Sequence, residues 1–467
     1  TGQASILSLY DTERLANPLV KKSETEDWTT LDAEIKGKLA VMKATNKKIV
    51  LLSNSINSPS ALRAISAFKE AYPNIEHKSY DAVSYNGILD AHANDFGKRA
   101  MPHYRFANAK AVVSFGADFL GTWVSPVEFQ ADYVKNRRPD AEGGMSVHVQ
   151  FESTLSMTGT NADHRFPMKS SKELAYVATL YNYIAKAKGI AQIPVPNNAE
   201  LAGNAIEKTA KILLKNMGKS LVVSSSNDVS TQRVINGINM LLDSYGNTMD
   251  IVNHSNQFVG SDNDVNETLK GLANGSIAGV IFYGTNPVFN HNKEWSAAIA
   301  KAKLSISFAS TNDETAAVCQ YVCPDNHFLE SWSDSEPIKG LYHFTQPTIA
   351  PVFNTRQAEE SLLNWAGALP SVEKDPLSDK GILSQKFEAS PYYLFLHAYW
   401  EENLGEGGYQ KALELGFADS KAMANTSEPM IASYSGNVAE LASDISKAGN
   451  DDLELVMYQA VALKDGA

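Results

Sequence analysis

The chain has 467 residues, 43% hydrophobic and 20% charged, which suits about two to four folded domains with ample core. Its net charge of −12 and lack of a sustained Lys/Arg block exclude a nucleic-acid groove. No apolar run approaches the ~20 residues of a membrane helix, so no direct span is expected.

The chain opens at Thr1 without a methionine and closes just past an apolar run, and so reads as a stretch of a longer protein. In its leading segment, 1–47, the stretch from Trp28 predicts a helix to Lys43 with Leu31, Ile35, Leu39 and Met42 on one face. Ile49–Leu52 is a short β-branched run of the kind buried on both faces. Pro59 then suits a first helical position, and Leu62, Ile65, Phe68 and Lys69 follow a helical period. Ile75–Tyr80 and Val112–Phe115 read as strands and Phe129–Val134 as a helix. Ser146–Phe151 reads as an alternating strand, and Leu174–Lys188 as a strong helix. Ile193-Pro194-Val195-Pro196-Asn197-Asn198 is a stiff polar connector and marks the expected domain boundary.

Beyond it, strands are expected at Leu221–Val223, Asp250–Val252, Val280–Tyr283 and Leu304–Ala309, with helices at Val229–Tyr245, Val265–Asn274 and Lys293–Lys303 between them. Trp332, Tyr342, Phe344 and Phe353 are candidate anchors of a core or an interface. After Pro370 the pattern weakens to a helix at Tyr392–Leu404, a break at Gly405–Gly408 and a strand at Leu453–Val461.

One arrangement occurs twice. Lys48–Leu52 runs into Ser53-Asn54-Ser55, and Ala111–Phe115 ends in Gly116-Ala117-Asp118. Ser220–Val223 runs into Ser224-Ser225-Ser226-Asn227, and Gly279–Tyr283 ends in Gly284-Thr285-Asn286-Pro287. The repetition predicts an α/β fold of two tandem Rossmann-like parallel-sheet units, 48–192 and 193–370, followed by a helical and strand segment at 371–467. Such units commonly face each other across a cleft.

Small polar residues directly after a parallel strand let backbone N–H groups and a helix N-terminus meet a phosphate. Ser53, Asn54, Ser225 and Asn227 hold that position, while Gly116, Asp118, Gly284 and Asn286 offer a tight turn and a polar group for a ribose or pterin edge. Neither loop has Gly-x-Gly-x-x-Gly spacing, so no NAD fingerprint is present, and helix capping is the plainer account of the Ser and Asn residues. Cys319 and Cys323 stand alone as the chain's 2 cysteines and read as inert buried thiols. His291 near Glu294 and His164 near Asp163 lack a third ligand, and no nucleophile elbow, Walker loop or His-Glu-x-x-His occurs. No catalytic or metal-binding residue is assigned.

These residues resemble the molybdopterin oxidoreductase family, the formate dehydrogenase and DMSO reductase type. Gly284-Thr285-Asn286-Pro287 is similar to that family's Gly-x-Asn-Pro turn, and Asp313-Glu314-Thr315-Ala316 to Val322-Cys323-Pro324 is similar to its Thr-Ala…Leu-Pro segment. His327–Asp334, with Leu329-Glu330-Ser331-Trp332-Ser333-Asp334, and Gln346–Pro351 narrow the resemblance. They are similar to the molybdopterin-like half of the iron–sulfur subunits of alternative complex III, a family of bacterial quinol oxidoreductases; Gly116–Leu120 fits the same family.

The resemblance implies a region without molybdenum, catalytic activity or a cofactor of its own. Its pterin-dinucleotide loops would be vestigial, and [4Fe-4S] and [3Fe-4S] clusters would lie only in a ferredoxin-like part beyond this stretch. It also implies a periplasmic place at the bacterial inner membrane, held through membrane quinol-binding subunits and cytochrome c subunits. The family's N-terminal cluster motif has no counterpart here, and Glu330-Ser331-Trp332-Ser333 stands where a Glu-x-x-Gly is typical. Two alternatives stay open: a fragment of a catalytic molybdopterin oxidoreductase, and a nucleotide-binding protein using the inter-domain cleft.

Overall fold

In the computed structural model of the chain, residues 4–25, 27–140, 143–195, 204–371, 390–419, 434–445 and 453–460 are described. The backbone forms two units, each built from separated stretches. One holds Thr1–Ala82 and Gly260–Ala424, the other Val83–Val259 and Asn425–Gly466.

The first visit to unit one lays down α1 (Trp28–Ala44), β1 (Ile49–Ser53), α2 (Pro59–Ala71) and β2 (Ile75–Ser79). Unit two follows with α3 (Asn86–Phe96), β3 (Met101–Tyr104), β4 (Ala111–Phe115), α4 (Pro126–Lys135), β5 (Val147–Glu152) and β6 (His164–Pro167). It continues with α5 (Glu173–Ala187), α6 (Ala205–Lys215), β7 (Ser220–Ser224), α7 (Val229–Leu241) and β8 (Met249–Ser255). Back in unit one come α8 (Asp262–Asn274), β9 (Gly279–Tyr283), β10 (Leu304–Ser307), β11 (Tyr321–Val322), β12 (Ser333–Ile338), β13 (Leu341–Thr345), α9 (Ala358–Ala366) and α10 (Pro391–Leu404).

The parallel sheets and flanking helices agree with the expected α/β class, but strand pairing does not follow the tandem division. β1 pairs in parallel with β9, Ile49 opposite Gly279 and Ser53 opposite Tyr283. β4 pairs in parallel with β7, Ala111 opposite Ser220 and Phe115 opposite Ser224. Each sheet thus takes one strand from each of the two similar stretches, and the boundary at 193 falls inside unit two. Ile193 is buried in that unit's core, and its backbone N–H and carbonyl both bond the Asn182 side chain, at 2.7 and 2.8 Å. The connector is therefore packed rather than linking; its part Pro196-Asn197-Asn198 lies outside the described residues.

In unit one the parallel strands run in the order β11-β10-β9-β1-β2, with short antiparallel strands Leu19–Val20 and Ser23–Glu24 beyond β11. Renumbered along the chain this is the doubly wound order 2-1-3-4-5. The leading segment belongs to this unit. Asp27 caps α1 by accepting from Thr29 N and Thr30 N, and Leu31, Ile35, Leu39 and Met42 pack on Ile49, Leu51, Ile281 and Ile306. The opposite sheet face, Val50, Leu52, Val280 and Phe282, is covered by Val265, Leu269 and Trp295. Burial on both faces is why these strands are continuous apolar runs, each buried aliphatic side chain contributing roughly 2 kcal/mol.

Unit two carries the order β6-β5-β4-β7, all parallel, which renumbers to 3-2-1-4. α5 and α7 cover one face through Val177, Ile184, Val234 and Ile238. Ile88, Leu89, Phe129 and Tyr133 cover the other. β5 is buried at every position from His148 to Glu152, so the expected alternation is absent: a strand covered on both faces has no solvent side. β3 and β8 pair antiparallel outside this parallel sheet.

Smaller expectations also shift. α2 packs through Ala61, Ala64, Ile65 and Phe68, whereas Leu62 is exposed, one position off the stripe. α3 and β3 were not anticipated, because Asn86-Gly87 at the start of α3 carries a turn signal. Trp332 is core, with Tyr342 and Phe344 packed against it beside Trp400 and Tyr409, while Phe353 lies under the Arg14 guanidinium, 5.1 Å from the ring centroid. Leu453–Gln459 joins no strand ladder, and Val461 lies outside the described residues.

Candidate functional site

Each parallel sheet changes direction of winding at one pair of strands, and ligands of such sheets bind outside the carboxyl ends there. The eight expected binding residues reassort onto these two points. Ser53 and Asn54 meet Gly284 and Asn286 at the β1–β9 end of unit one. Gly116 and Asp118 meet Ser225 and Asn227 at the β4–β7 end of unit two.

In unit one most of these groups bond the chain itself. Asn54 N donates to Tyr283 O at 3.3 Å, and a Cβ on Gly284, at φ +62°, would stand 3.1 Å from the Asn54 side-chain amide. Ser53 Oγ donates to Asn54 O at 2.7 Å and lies 2.8 Å from His77 Nε2. Burial pushes His77 down to about 4, so it is neutral near pH 7. The Asn286 amide is spent at both ends, donating to Glu314 Oε2 at 2.8 Å and accepting from Thr315 Oγ1 at 2.7 Å. Only Asn54 presents an exposed side chain among these four.

Unit two is similar in its two loops. Ser225 N donates to Phe115 O at 3.0 Å, and a Cβ on Gly116, at φ +65°, would lie 2.7 Å from Ser225 Oγ. Asp118 Oδ1 accepts from Thr158 N at 2.9 Å and Thr158 Oγ1 at 2.7 Å, tying the loop after β4 to the turn at Met157–Thr160. Asn227 Oδ1 accepts from Gly87 N at 2.7 Å, and its amide donates to Ser84 Oγ at 3.1 Å.

Beside these loops lies a cavity of about 780 Å³, within the range of small-ligand pockets. Three carboxyls line it: Asp118, Glu152 and Glu173. Glu152 is offset by Arg165, whose Nε is 2.6 Å from its Oε1. Glu173, the first residue of α5, accepts from Ser224 Oγ at 2.5 Å; burial, helped by the charge of Asp228, pushes its carboxyl up to about 7. Trp123 also lines the cavity, and its buried indole N–H has no hydrogen-bond partner. Among the described residues lining it there is no lysine or arginine.

Glu173 and Glu152 were missed in the sequence, since a Glu opening a helix or ending a strand carries no local mark of its partners. Cys319 and Cys323 are both buried, and burial raises both thiols, Cys323 to about 12. Among the described residues no group of three or more His, Cys, Asp or Glu is placed to hold a metal ion.

The two doubly wound sheets define an α/β fold that solved structures share. Acetylene hydratase from Pelobacter acetylenicus superposes with a TM-score of 0.60 over 76% of this chain and 62% of that one, at 12% identity. The formyltransferase/hydrolase complex from Methylorubrum extorquens matches 75% of this chain and 98% of one of its own, with a TM-score of 0.50 and 12% identity. In sequence, the chain is 24% identical over 309 residues to the menaquinone reductase, molybdopterin-binding-like subunit, of Nitratidesulfovibrio vulgaris. That match spans 57% of this chain and 44% of the subunit's length. No protein-family model matches. The coarser resemblance, to molybdopterin oxidoreductases, therefore stands; these relatives do not single out alternative complex III.

The fold brings with it the question of a pterin dinucleotide. Its pyrophosphate is a dianion, and the cavity beside β4 and β7 offers it carboxyls where cations are needed. At the β1–β9 end the Asn286 and Ser53 side chains are already committed within the chain. The residues present do not fit that group.

Proposed function

We propose that this chain is a cofactor-free, molybdopterin-oxidoreductase-like scaffold region of a membrane-associated respiratory quinol oxidoreductase. The observation that carries the reading is the state of the two winding-reversal points. One is closed by the chain's own hydrogen bonds and the other is walled by carboxyls, in a fold whose relatives include a menaquinone reductase subunit. The region supports electron transfer through a neighbouring iron–sulfur domain instead of reacting itself. Its partners are membrane quinol-binding and cytochrome c subunits, and its place is the periplasmic side of the inner membrane. Alternative complex III is the assignment we favour, on the Leu329–Asp334 segment.

In this structure that segment is core: Glu330 pairs with Arg14 at 2.8 Å, and Trp332 and Asp334 are buried. It fixes the α9–α10 side of unit one, as a scaffold element does. The experiment is molybdenum, tungsten and pterin analysis of the whole complex purified through this chain. The expected result is quinol oxidation with far less than one pterin per chain. One molybdopterin per chain would overturn the reading.

A further inference from the structure

The segment 453–460 returns to unit two and runs along the mouth of its cavity, and Leu455 to Ala460 all contribute to the lining. Its attachment is polar. Glu454 accepts from Ser171 N at 3.2 Å and also from the Ser171 hydroxyl, just ahead of α5. Burial does little to hold it: Leu453 is 92% exposed, Leu455 88%, Met457 86% and Tyr458 77%. A segment with so few buried apolar contacts opens more readily than the sheet beneath it.

The wall behind the segment carries Asp118 and Glu173, together with the unbonded indole N–H of Trp123. Such a wall offers an anion no cation but tolerates an uncharged peptide, whose backbone brings both donors and acceptors. We propose that Leu455–Ala460 is a built-in strap occupying the mouth of this cavity where related folds would place an anionic dinucleotide, clasped by Glu454 on Ser171. The inference rests on the cofactor-free reading of the same site and adds what takes the cofactor's place.

Hydrogen-exchange mass spectrometry on the full chain tests it, comparing the parent with Glu454→Ala and Ser171→Ala, each with and without millimolar GDP or inorganic pyrophosphate. Both variants are expected to speed exchange at 453–460 by about tenfold, with the loops at 116–123 and 153–156 following, because local opening tracks the lost clasp. Neither anion is expected to protect any of these segments. Unchanged exchange at 453–460 in both variants would sink the strap and leave the cofactor-free reading in place. Protection of 116–123 by GDP in the parent would overturn both. Protection confined to the two variants would keep the strap and overturn the exclusion of anions by the wall.

Discussion

Gly116 and Ser225 close the winding-reversal point of unit two from opposite sides: Ser225 N bonds Phe115 O at 3.0 Å, and a Cβ on Gly116 would lie 2.7 Å from Ser225 Oγ. The contact needs a residue without a side chain at φ +65°. A neighbouring glycine is held more tightly. A Cβ on Gly87 would stand 2.5 Å from the Asn227 backbone carbonyl carbon and oxygen.

This difference predicts an order of damage. Gly116→Ala should cost about 1 kcal/mol, since the hydroxyl can turn aside and backbone strain is the main term. Gly87→Ala should cost about 3 kcal/mol, because backbone must move. Denaturant midpoints of the two variants check the ranking; equal midpoints would contradict it.

Asp32 organises unit one. It accepts from Arg356 Nη1 and Nη2, both at 2.8 Å, from Asn364 Nδ2 at 2.6 Å and from Trp365 Nε1 at 2.7 Å. Arg356 in turn stacks on Trp28, 4.1 Å from the ring centroid. Asp32→Ala leaves a half-buried guanidinium unpaired and should destabilise by about 3 kcal/mol, more than Lys48→Ala on the exposed Lys48–Glu76 pair, for which about 0.5 kcal/mol is expected. Thermal unfolding of the two variants should separate them clearly.

Acid sensitivity follows from the half-buried His77 and the buried His92 and His148, each pushed by desolvation down to about 4. Unfolded, these rings bind protons near 6.5, so between 6.5 and 4 the unfolded chain holds more protons than the folded one. Stability is complete above 6.5 and falls as pH drops through that window. Glu173 acts with the opposite sign. Its folded value of about 7 lies above the ordinary 4.5, so the folded state holds the extra proton and stability falls as pH rises from 4.5 to 7. Glu173→Gln should therefore gain on the parent with rising pH, by roughly 3 kcal/mol at pH 8 relative to pH 4. Melting temperatures of both proteins across that range give the difference directly, and parallel curves would refute the assignment.

Cys319 and Cys323 should be silent toward a thiol reagent such as DTNB in the native protein and react fully once it is unfolded, since both are buried with raised thiol values. Rapid native reaction would place at least one of them at the surface.

Much of the secondary structure was legible in the chain because its causes are local. The α1 stripe of Leu31, Ile35, Leu39 and Met42, the Pro59 start of α2 and the helix of Tyr392–Leu404 follow from periodicity and end residues, and the structure places them accordingly. The binding-loop positions after β1, β4, β7 and β9 were also visible, as small polar residues following apolar runs. Which loops meet was not. The runs 49–53, 111–115 and 220–224 are buried throughout, and 279–283 nearly so. A strand without a polar face carries no alternation to tell its neighbours apart, and parallel pairing joins residues far apart in sequence.

The sequence by itself determined the α/β class, most of the element boundaries and the absence of a dinucleotide fingerprint. Only the tertiary structure decided that β1 lies beside β9 and β4 beside β7, that the chain crosses between its units at 82–83 and 259–260, and that Glu173 rests buried against Ser224. Those outcomes depend on long-range packing of helices onto both sheet faces and on desolvation of a carboxyl by residues distant in the chain, neither of which a local pattern encodes.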